Sequence, residues 1–487
     1  MTQAAATAAT AADPRRWKAL AVLGVAYLMV VLDVSIVNVA LPSIQTDLGF
    51  TTEDLQWVVS GYALTFGGFL LLGGRAGDLL GRRTVFMVGL GLFLVTSLLA
   101  GLSTSSEMLI IARLLQGAAG AILSPSVFSI TLVTFQEGAE RNKALGILGG
   151  IAGSGAAIGV LMGGVFTQYV SWEWIFFVNI PIAALALALV PRYVRESKAE
   201  GLAKHFDAFG AVTVTGSLML LVFALTQANR VGWASAQTIG VFAGSAVLMA
   251  IFLWNETRSR SPLVPLGIFK RRTLTGANVI GFGLGTVIFG IFFLLSLYMQ
   301  QVLGFSAMQA GVGYLAVALT VVVAATISQG LVTRLGVKPV LVAGMALLTA
   351  GMVYFTQVSP DGSYWADLFP GFLIIGVGMG FSFVPISIAA LAGVRGPEAG
   401  LASGLINTSQ QIGGALGLAL LTTVATTHTT GLLEDGTPQA EALTSGFSWG
   451  FWVAAGFALV SLITTLVVLR QDDLPAVGTE PAAVPAG

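Results

Sequence analysis

LDVSIVNVALP, residues 32–42, closes the first long apolar segment of the chain. Within this stretch, Asp33 places a carboxylate among hydrocarbon side chains. An ionisable group in a membrane-spanning helix costs about 2.5–3.5 kcal/mol on insertion scales, and by default it indicates a functional site. Asp33 is therefore the first candidate functional residue, and the surrounding sequence decides what it does.

Composition places the chain in a membrane. Its 487 residues are 55% hydrophobic and 9% charged, with a mean hydropathy of +0.88, whereas a soluble domain carries about 25% charged residues. The sequence contains no cysteine, which excludes disulfides and thiol chemistry. Its formal net charge is zero, and no basic face or acidic tail predicts binding of nucleic acid.

Apolar segments of about 20 residues, long enough to span a bilayer, recur fourteen times and predict an all-α integral membrane protein. If the N-terminus is cytoplasmic, all 23 Lys and Arg residues fall in cytoplasmic segments except Arg113 and Arg230. Basic residues are retained in cytoplasmic loops, so we expect both termini to be cytoplasmic. The predicted spans lie near residues 18–41, 57–75, 84–102, 107–130, 144–167, 174–191, 208–227, 237–254, 274–298, 307–332, 339–357, 368–391, 400–426 and 447–469.

Charge and repetition divide the spans into six, two and six. The charged segments 192–207 and 255–273 bracket spans seven and eight, and GDLLGRR at 77–83 is echoed by VTRLGVK at 332–338. Paired repeats around a midplane site are typical of secondary transporters. The predicted parts are a disordered cytoplasmic N-terminus (1–16), a six-helix bundle (17–204), an inserted two-helix linker (205–258), a second six-helix bundle (259–470) and a disordered cytoplasmic tail (471–487).

Four motifs in order resemble those of the major facilitator superfamily, specifically its fourteen-helix drug:proton antiporters. They are LDVSIVNVALP at 32–42, GRAGDLLGRR at 74–83, RLLQG at 113–117 and WEWIFFVNIP at 172–181. The resemblance covers residues 18–470. It implies a major facilitator fold in a bacterial cytoplasmic membrane, with the proton gradient as energy source and no other cofactor.

Two positions depart from the family pattern. The span-five motif usually ends Gly-Pro-x-x-Gly-Gly, but residues 159–164 read GVLMGG and lack the proline. Glu173 stands where the family usually has arginine. The outer mouth of span six is therefore more acidic here, which favours cationic substrates.

The two charges inside spans lie at similar depths. Asp33 is about eight residues from the predicted outer end of span one, and Arg113 about six residues into span four, which is on the order of 12 and 9 Å. Intramembrane charges seek partners, so we expect them to meet directly, through water or through Gln116. The preferred interpretation is proton coupling through Asp33 and Arg113. A permanent ion pair and direct substrate binding are the alternatives.

The loop after span two is a predicted conformational latch formed by Gly74, Asp78, Gly81 and Arg82. The family resemblance implies that this loop holds the two halves together on the cytoplasmic side. An opposing helix N-terminus favours an anion, and span thirteen, starting near Gly400, has the required orientation. The alternative is a local turn stabilised by Asp78 and Arg82.

Span five carries glycines that predict close helix packing, which also seals or hinges the site. Glycines at four-residue spacing permit such approach in membranes. The spaced glycines are Gly155, Gly159 and Gly163, and Gly164 lies beside the last of them.

Polar or aromatic residues in midspan are the candidates for substrate binding. An apolar pocket with few polar anchors suits amphipathic drugs, and aromatic faces attract lipophilic cations. No second acidic residue lies deep in the C-terminal half, so we expect monovalent cations or neutral amphiphiles. The candidates are Asn38, Tyr62, Phe66, Gln116, Asn278, Phe289, Tyr314, Asn407, Gln410 and Gln411.

Other function classes find no support in the sequence. It contains no phosphate-binding GxxxxGK[ST] loop, no helical HExxH metal motif and no catalytic constellation. We therefore expect a monomeric proton-coupled exporter of hydrophobic or monocationic drugs that is not an enzyme and binds no metal. The alternative is an exporter of an endogenous metabolite, lipid or self-made antibiotic.

Overall fold

The computed structural model describes residues 15–136, 139–198, 207–259, 262–394 and 396–474. Within these residues, fourteen helices are long and apolar enough to cross a membrane. This confirms the predicted all-α membrane fold, whereas the cytoplasmic side of both termini stays a prediction. The helices are α1 (Arg16–Leu48), α2 (Thr52–Leu80), α3 (Arg82–Gly101), α4 (Ser106–Thr134), α5 (Lys143–Tyr169), α6 (Trp174–Tyr193), α7 (Ala208–Ala228), α8 (Ala236–Arg258), α9 (Arg272–Val302), α10 (Ala307–Leu335), α11 (Val337–Phe355), α12 (Tyr364–Leu391), α13 (Gly400–Glu434) and α14 (Gln439–Val467).

Several helices extend beyond the apolar stretches that predicted them, among them α1 and α13 at their C-terminal ends. Helix α1 continues past residue 41, through Pro42, to Leu48, and α13 continues past residue 426 to Glu434. A helix does not have to end where its apolar run ends, because backbone hydrogen bonds continue into the polar interface. Hydropathy therefore located these helices but underestimated their lengths.

The turns α2–α3 and α10–α11 have the same construction. Gly81 and Gly336 have φ angles of 118° and 87°, a region that glycine adopts readily and other residues avoid. Each turn joins the second helix of a predicted six-helix bundle to the third. The echoed sequences at 77–83 and 332–338 therefore occupy equivalent places in the fold.

The helices on either side of α7 and α8 pack chiefly among themselves. Helix α2 packs against α4, α1 against α5, and α3 against α4 and α6. Helix α9 packs against α13 and α14, and α12 packs against α10 and α11. The main contacts between the two groups are α2 with α13 and α5 with α10.

Helices α7 and α8 lie beside one of these contacts. Ser217 of α7 donates to the carbonyl oxygen of Ser245 in α8, and Ser245 donates back to that of Ser217, both at 2.8 Å. Helix α7 also packs against both α2 and α13, and Thr423 of α13 donates to its Leu225 carbonyl oxygen at 3.4 Å. The domain boundaries in residue numbers stay a prediction, and 1–14, 205–206 and 475–487 lie outside the described residues.

Side-chain hydrogen bonds join α1 to α9 near the end predicted to be extracellular. Ser296 Oγ and Gln300 Nε2 donate to the carbonyl oxygens of Asn38 and Val39, at 2.6 and 3.0 Å. Gln301 Nε2 donates to Gln45 Oε1 at 2.7 Å. These bonds hold the two six-helix groups together at this end.

Candidate functional site

The two charges predicted to meet are in direct contact. Arg113 Nη1 of α4 lies 2.5 Å from Asp33 Oδ2 of α1, and the side chains are 1% and 0% exposed. Arg113 Nε also donates to the Val58 carbonyl oxygen of α2 at 2.8 Å. A buried charge requires such pairing and hydrogen bonding, so α1, α2 and α4 are tied together at one point.

Gln116 completes the link between the charges. It lies one helical turn after Arg113, so that both side chains project from the same face of α4. Its Oε1 accepts from Arg113 Nη1 at 2.7 Å, and its Nε2 donates to Asp33 Oδ1 at 2.8 Å. Gln116 was predicted both as a link and as a substrate residue, and the structure places it in the link.

Two further residues of this network were missed by sequence reasoning. Asn179 Nδ2 of α6 donates to Asp33 Oδ1 at 3.0 Å and to Ser97 Oγ of α3 at 3.4 Å. Ser97 Oγ also accepts from Gln116 Nε2 at 2.9 Å. The sequence did contain a signal for Asn179, because it is the polar residue in the otherwise apolar second half of the WEWIFFVNIP motif. Ser97 carries no comparable signal, since a serine in a membrane helix commonly bonds to its own backbone.

Aromatic rings cover the guanidinium group. Arg113 Cζ lies 4.4 Å from the ring centre of Tyr62 and 5.7 Å from that of Phe176, distances at which a ring attracts a cation. Tyr62 stacks in turn on Phe66, with ring centres 5.7 Å apart. Tyr62 and Phe66 were predicted to bind substrate, and Tyr62, only 2% exposed, instead contacts the charged pair.

Two other predicted substrate residues are buried and bonded within the protein. Asn38 Nδ2 donates to the Val34 carbonyl oxygen of its own helix at 2.9 Å. Tyr314 Oη donates to the Phe292 carbonyl oxygen at 2.9 Å. Substrate binding by these two residues stays a prediction.

The remaining predicted substrate residues lie on α9 and α13. Asn278 Oδ1 accepts from Ser409 Oγ at 2.6 Å, which joins these two helices. Asn407 is exposed, and its side-chain amide donates to the Ser403 carbonyl oxygen at 3.0 Å. Phe289 packs at Gly414, Gln410 at Gly285 and Gln411 at Gly67. Substrate binding by these residues stays a prediction.

A cavity of about 750 Å³ opens between the two six-helix groups at the predicted extracellular end. Its lining includes Asp47, Trp172 and Glu173, the acidic departure from the family pattern. Trp172 Nε1 donates to Asp47 Oδ2 at 2.9 Å. The ten predicted substrate residues do not line this cavity.

A comparison with models of protein families identifies the family of this protein. The model of the Major Facilitator Superfamily matches residues 23–418, most of the chain and both sides of the site. The chain belongs to the major facilitator superfamily. It is a multi-pass membrane transporter of small molecules.

Curated relatives of this transporter include antibiotic resistance and export proteins. It is 38% identical to the puromycin resistance protein of Streptomyces alboniger, over 94% of this chain and 91% of that protein. It is 37% identical to the cephamycin export protein of Amycolatopsis lactamdurans, over 94% of each chain.

Solved structures show the same superfamily fold at low identity. A peptide transporter of the POT family superimposes with a TM-score of 0.67 at 17% identity, covering 95% of this chain and 99% of that one. A nucleoside transporter superimposes with a TM-score of 0.66 at 12% identity, covering 93% of this chain and 100% of that one. These likenesses establish the transporter fold alone.

The predicted latch of the transporter is described only in part. Asp78 Oδ1 accepts from Arg82 Nη2 and Nε at 2.7 and 3.0 Å, which is the local turn considered as the alternative. Gly74 packs against Pro125, and Gly81 forms the turn itself. The side chains at 395–399, next to the predicted partner, lie outside the described residues. A contact between this loop and α13 therefore stays a prediction.

The predicted glycines of α5 lie where the transporter's helices approach closely. Gly155 and Gly159 face Val31 and Ser35 of α1, and a Cβ at Gly163 would lie 2.5 Å from the Ile36 carbonyl oxygen. A Cβ at Gly164 would lie 2.9 Å from the carbonyl oxygen of Ala307, in the second six-helix group.

No group of three or more His, Cys, Asp or Glu residues that could hold a metal occurs among the described residues. The network around Asp33 brings two charged groups together with hydrogen-bond donors and acceptors.

Proposed function

We propose that this transporter exports hydrophobic or monocationic compounds in exchange for protons, as a monomer that alternates between two faces of the membrane. The observation that carries the proposal is the buried contact of Asp33 with Arg113 at 2.5 Å. The names of the relatives, which concern resistance to and export of antibiotics, support the direction and the class of compound.

Asp33 is suited to exchange a proton because its partner keeps other contacts when the pair separates. A protonated carboxyl group loses its charge-assisted bond to Arg113, which weakens the pair. Arg113 then retains the Val58 carbonyl oxygen, Gln116 Oε1 and the Tyr62 ring. These contacts lower the cost of leaving a guanidinium group without its carboxylate in the membrane.

The proton gradient is large enough for this work. One proton gains about 2.3 kcal/mol per 100 mV of membrane potential and about 1.4 kcal/mol per pH unit. Since a tenfold concentration ratio costs about 1.4 kcal/mol, one proton per cycle sustains roughly a tenfold gradient of a monocation per pH unit, because their exchange moves no net charge. For a neutral substrate the membrane potential contributes as well, and about 100 mV adds more than tenfold.

The proposal is tested with Asp33→Asn in proteoliposomes that carry an imposed pH gradient. We expect this variant to lose uphill efflux of tetraphenylphosphonium, because an amide cannot carry the proton. Asp361→Asn, which removes an exposed carboxylate at the predicted extracellular end, is the matched control and should transport normally. Both variants must elute as folded monomers. Undiminished pH-driven efflux by Asp33→Asn would rule out the proton-carrier role and leave the pair as a structural bond.

The second candidate function is export of a compound that the cell itself makes, such as a metabolite, a lipid or an antibiotic. Two of the relatives also fit this candidate, because their names refer to individual antibiotics. Accumulation of several lipophilic cationic dyes and of puromycin is compared in cells with and without the transporter. Lower accumulation of the dyes in cells with the transporter supports the multidrug function. Lower accumulation of puromycin alone supports the second candidate.

A further inference from the structure

Asp33 is surrounded by hydrogen-bond donors. Its Oδ2 accepts from Arg113, and its Oδ1 accepts from the side-chain amides of Gln116 and Asn179. All the partners that the described residues provide thus donate to this carboxyl group. The arrangement suits the ionised form, whereas the neutral acid has an O–H that requires an acceptor. If Asp33 binds a proton, one of its neighbours must change from a hydrogen-bond donor to an acceptor.

Gln116 is poorly placed to make that change. An amide exchanges donor for acceptor by a half turn that swaps its nitrogen and oxygen. Gln116 Oε1 already accepts from Arg113 Nη1 at 2.7 Å, and its Nε2 donates to both Asp33 and Ser97. A half turn of Gln116 would point its NH₂ group at the Arg113 guanidinium and lose all three bonds.

Asn179 differs from Gln116 in that its side-chain oxygen makes no hydrogen bond that a half turn would break. Its side chain is 1% exposed, and its Oδ1 has no hydrogen-bond partner among the described residues, although it is buried. Such an unpaired buried acceptor is rare in proteins and requires an explanation. The oxygen of Asn179 is therefore an unused hydrogen-bond acceptor. It lies on a side chain that already contacts Asp33, the group that needs an acceptor once it is protonated.

We propose that Asn179 is a positioning residue that serves both protonation states of Asp33. Its Nδ2 donates to the ionised carboxylate, and after a half turn its Oδ1 accepts the O–H of the neutral acid. The Ser97 hydroxyl, which accepts from Asn179 Nδ2 at 3.4 Å, can donate to the same Oδ1 after the turn. The covalent bond formed is the O–H of Asp33, and the bond broken is an O–H of a hydronium ion at the open face, which leaves a water molecule. The inference rests on the proposed proton-carrying role of Asp33.

The test is infrared difference spectroscopy between low and high pH on the purified transporter in liposomes. The C=O stretch of a protonated carboxyl group moves to higher frequency when its O–H loses its acceptor. The band of Asp33 is identified by its absence in Asp33→Asn. We expect Asn179→Leu to shift this band to higher frequency. Thr96→Val is the matched control and should not shift it, since Thr96 is buried on α3 but donates to the Leu92 carbonyl oxygen of its own helix.

The outcomes separate this inference from the proposed function. If Asp33→Asn removes no pH-dependent carboxyl band, Asp33 does not titrate and both proposals fail. If the band is present and neither Asn179→Leu nor the smaller Asn179→Ala shifts it, Asn179 accepts no proton and only this inference fails. An upward shift in either folded variant, with no shift in Thr96→Val and with the titration midpoint of the band unchanged, supports a role in both protonation states. An upward shift accompanied by a raised midpoint would mean that Asn179 only donates to the carboxyl group, and only this inference fails.

Discussion

At the scale of residues, the site depends on two charges that solvent does not reach. Asp33 and Arg113 are 0% and 1% exposed. Removing one partner of a buried ion pair typically costs about 3–5 kcal/mol, because the remaining charge is uncompensated, whereas replacing both often costs little. The free energy of interaction between the two residues can therefore be measured only when they are changed both singly and together.

A double-mutant cycle of Asp33→Asn and Arg113→Met should show strong coupling. We expect each single variant to lose about 3–5 kcal/mol of unfolding free energy and the double variant to lose much less than the sum. The measurement is unfolding by SDS in mixed micelles. Losses that simply add would mean that the two charges do not stabilise one another.

At the scale of elements, α5 combines two kinds of glycine. A Cβ at Gly163 would lie 2.5 Å from the Ile36 carbonyl oxygen of α1, whereas one at Gly149 would meet nothing within 4 Å. The first position requires the absence of a side chain, because a backbone atom cannot move aside as a flexible side chain does. Position 149 can accept a side chain, although both glycines lie on the same helix.

Gly163→Ala should therefore destabilise the transporter while Gly149→Ala should not. We expect a loss of about 1–3 kcal/mol for the first, which forces α1 and α5 apart. For the second we expect no loss or a gain of up to about 1 kcal/mol, since alanine favours the helix. Thermal unfolding in detergent compares the two variants, and equal losses would contradict the packing role of Gly163.

The segment after α6 binds the turn between α2 and α3 through Glu196. Its carboxylate accepts from the N–H groups of Arg83 and Thr84, each at 3.0 Å, and from Thr84 Oγ1 at 2.6 Å. Partial burial raises the pKa of Glu196, but these hydrogen bonds outweigh it and hold the pKa below the ordinary value of 4.5. The carboxylate thus caps the start of α3 from a distant part of the chain.

The contribution of Glu196 should depend on pH. A depressed folded pKa means that the ionised cap stabilises the protein above about pH 4.5 and that this contribution disappears as the pH falls through the lowered value. We expect Glu196→Gln to lose about 1 kcal/mol at pH 7 and to match the unsubstituted protein in strong acid. Melting temperatures across this range provide the measurement. A difference that persists unchanged at low pH would contradict the prediction.

At the scale of the whole molecule, contacts between α1 and α9 join the two six-helix groups. Gln301 Nε2 donates to Gln45 Oε1 at 2.7 Å near the predicted extracellular end. Alternating access in paired-repeat transporters requires one group to rock against the other. If this end opens during transport, the contact must break in each cycle.

A cross-link at this end should stop transport. The chain has no cysteine, so Gln45→Cys with Gln301→Cys introduces the only two thiols. We expect a short bifunctional thiol reagent to abolish efflux from the double variant, because the two groups can no longer separate. Each single variant, treated in the same way, is the control and should remain active. Full efflux by the cross-linked protein would show that this end stays closed.

The sequence alone determined the class of the protein, the number of helices and the identity of the charged pair. These follow from properties that act along the chain: an apolar run of sufficient length must span the bilayer, and a charge inside a span must find a partner at its own depth. Asp33 and Arg113 were therefore predictable from depth alone.

Only the tertiary structure determined which other side chains surround that pair. Asn179 and Ser97 contact the network, and Tyr62 covers Arg113 instead of lining an open cavity. The position of a residue along a span predicts its depth in the membrane. When a helix is apolar on all sides, its sequence does not predict the direction in which each side chain points. That direction is decided by how the helices pack, and packing is a property of the whole bundle.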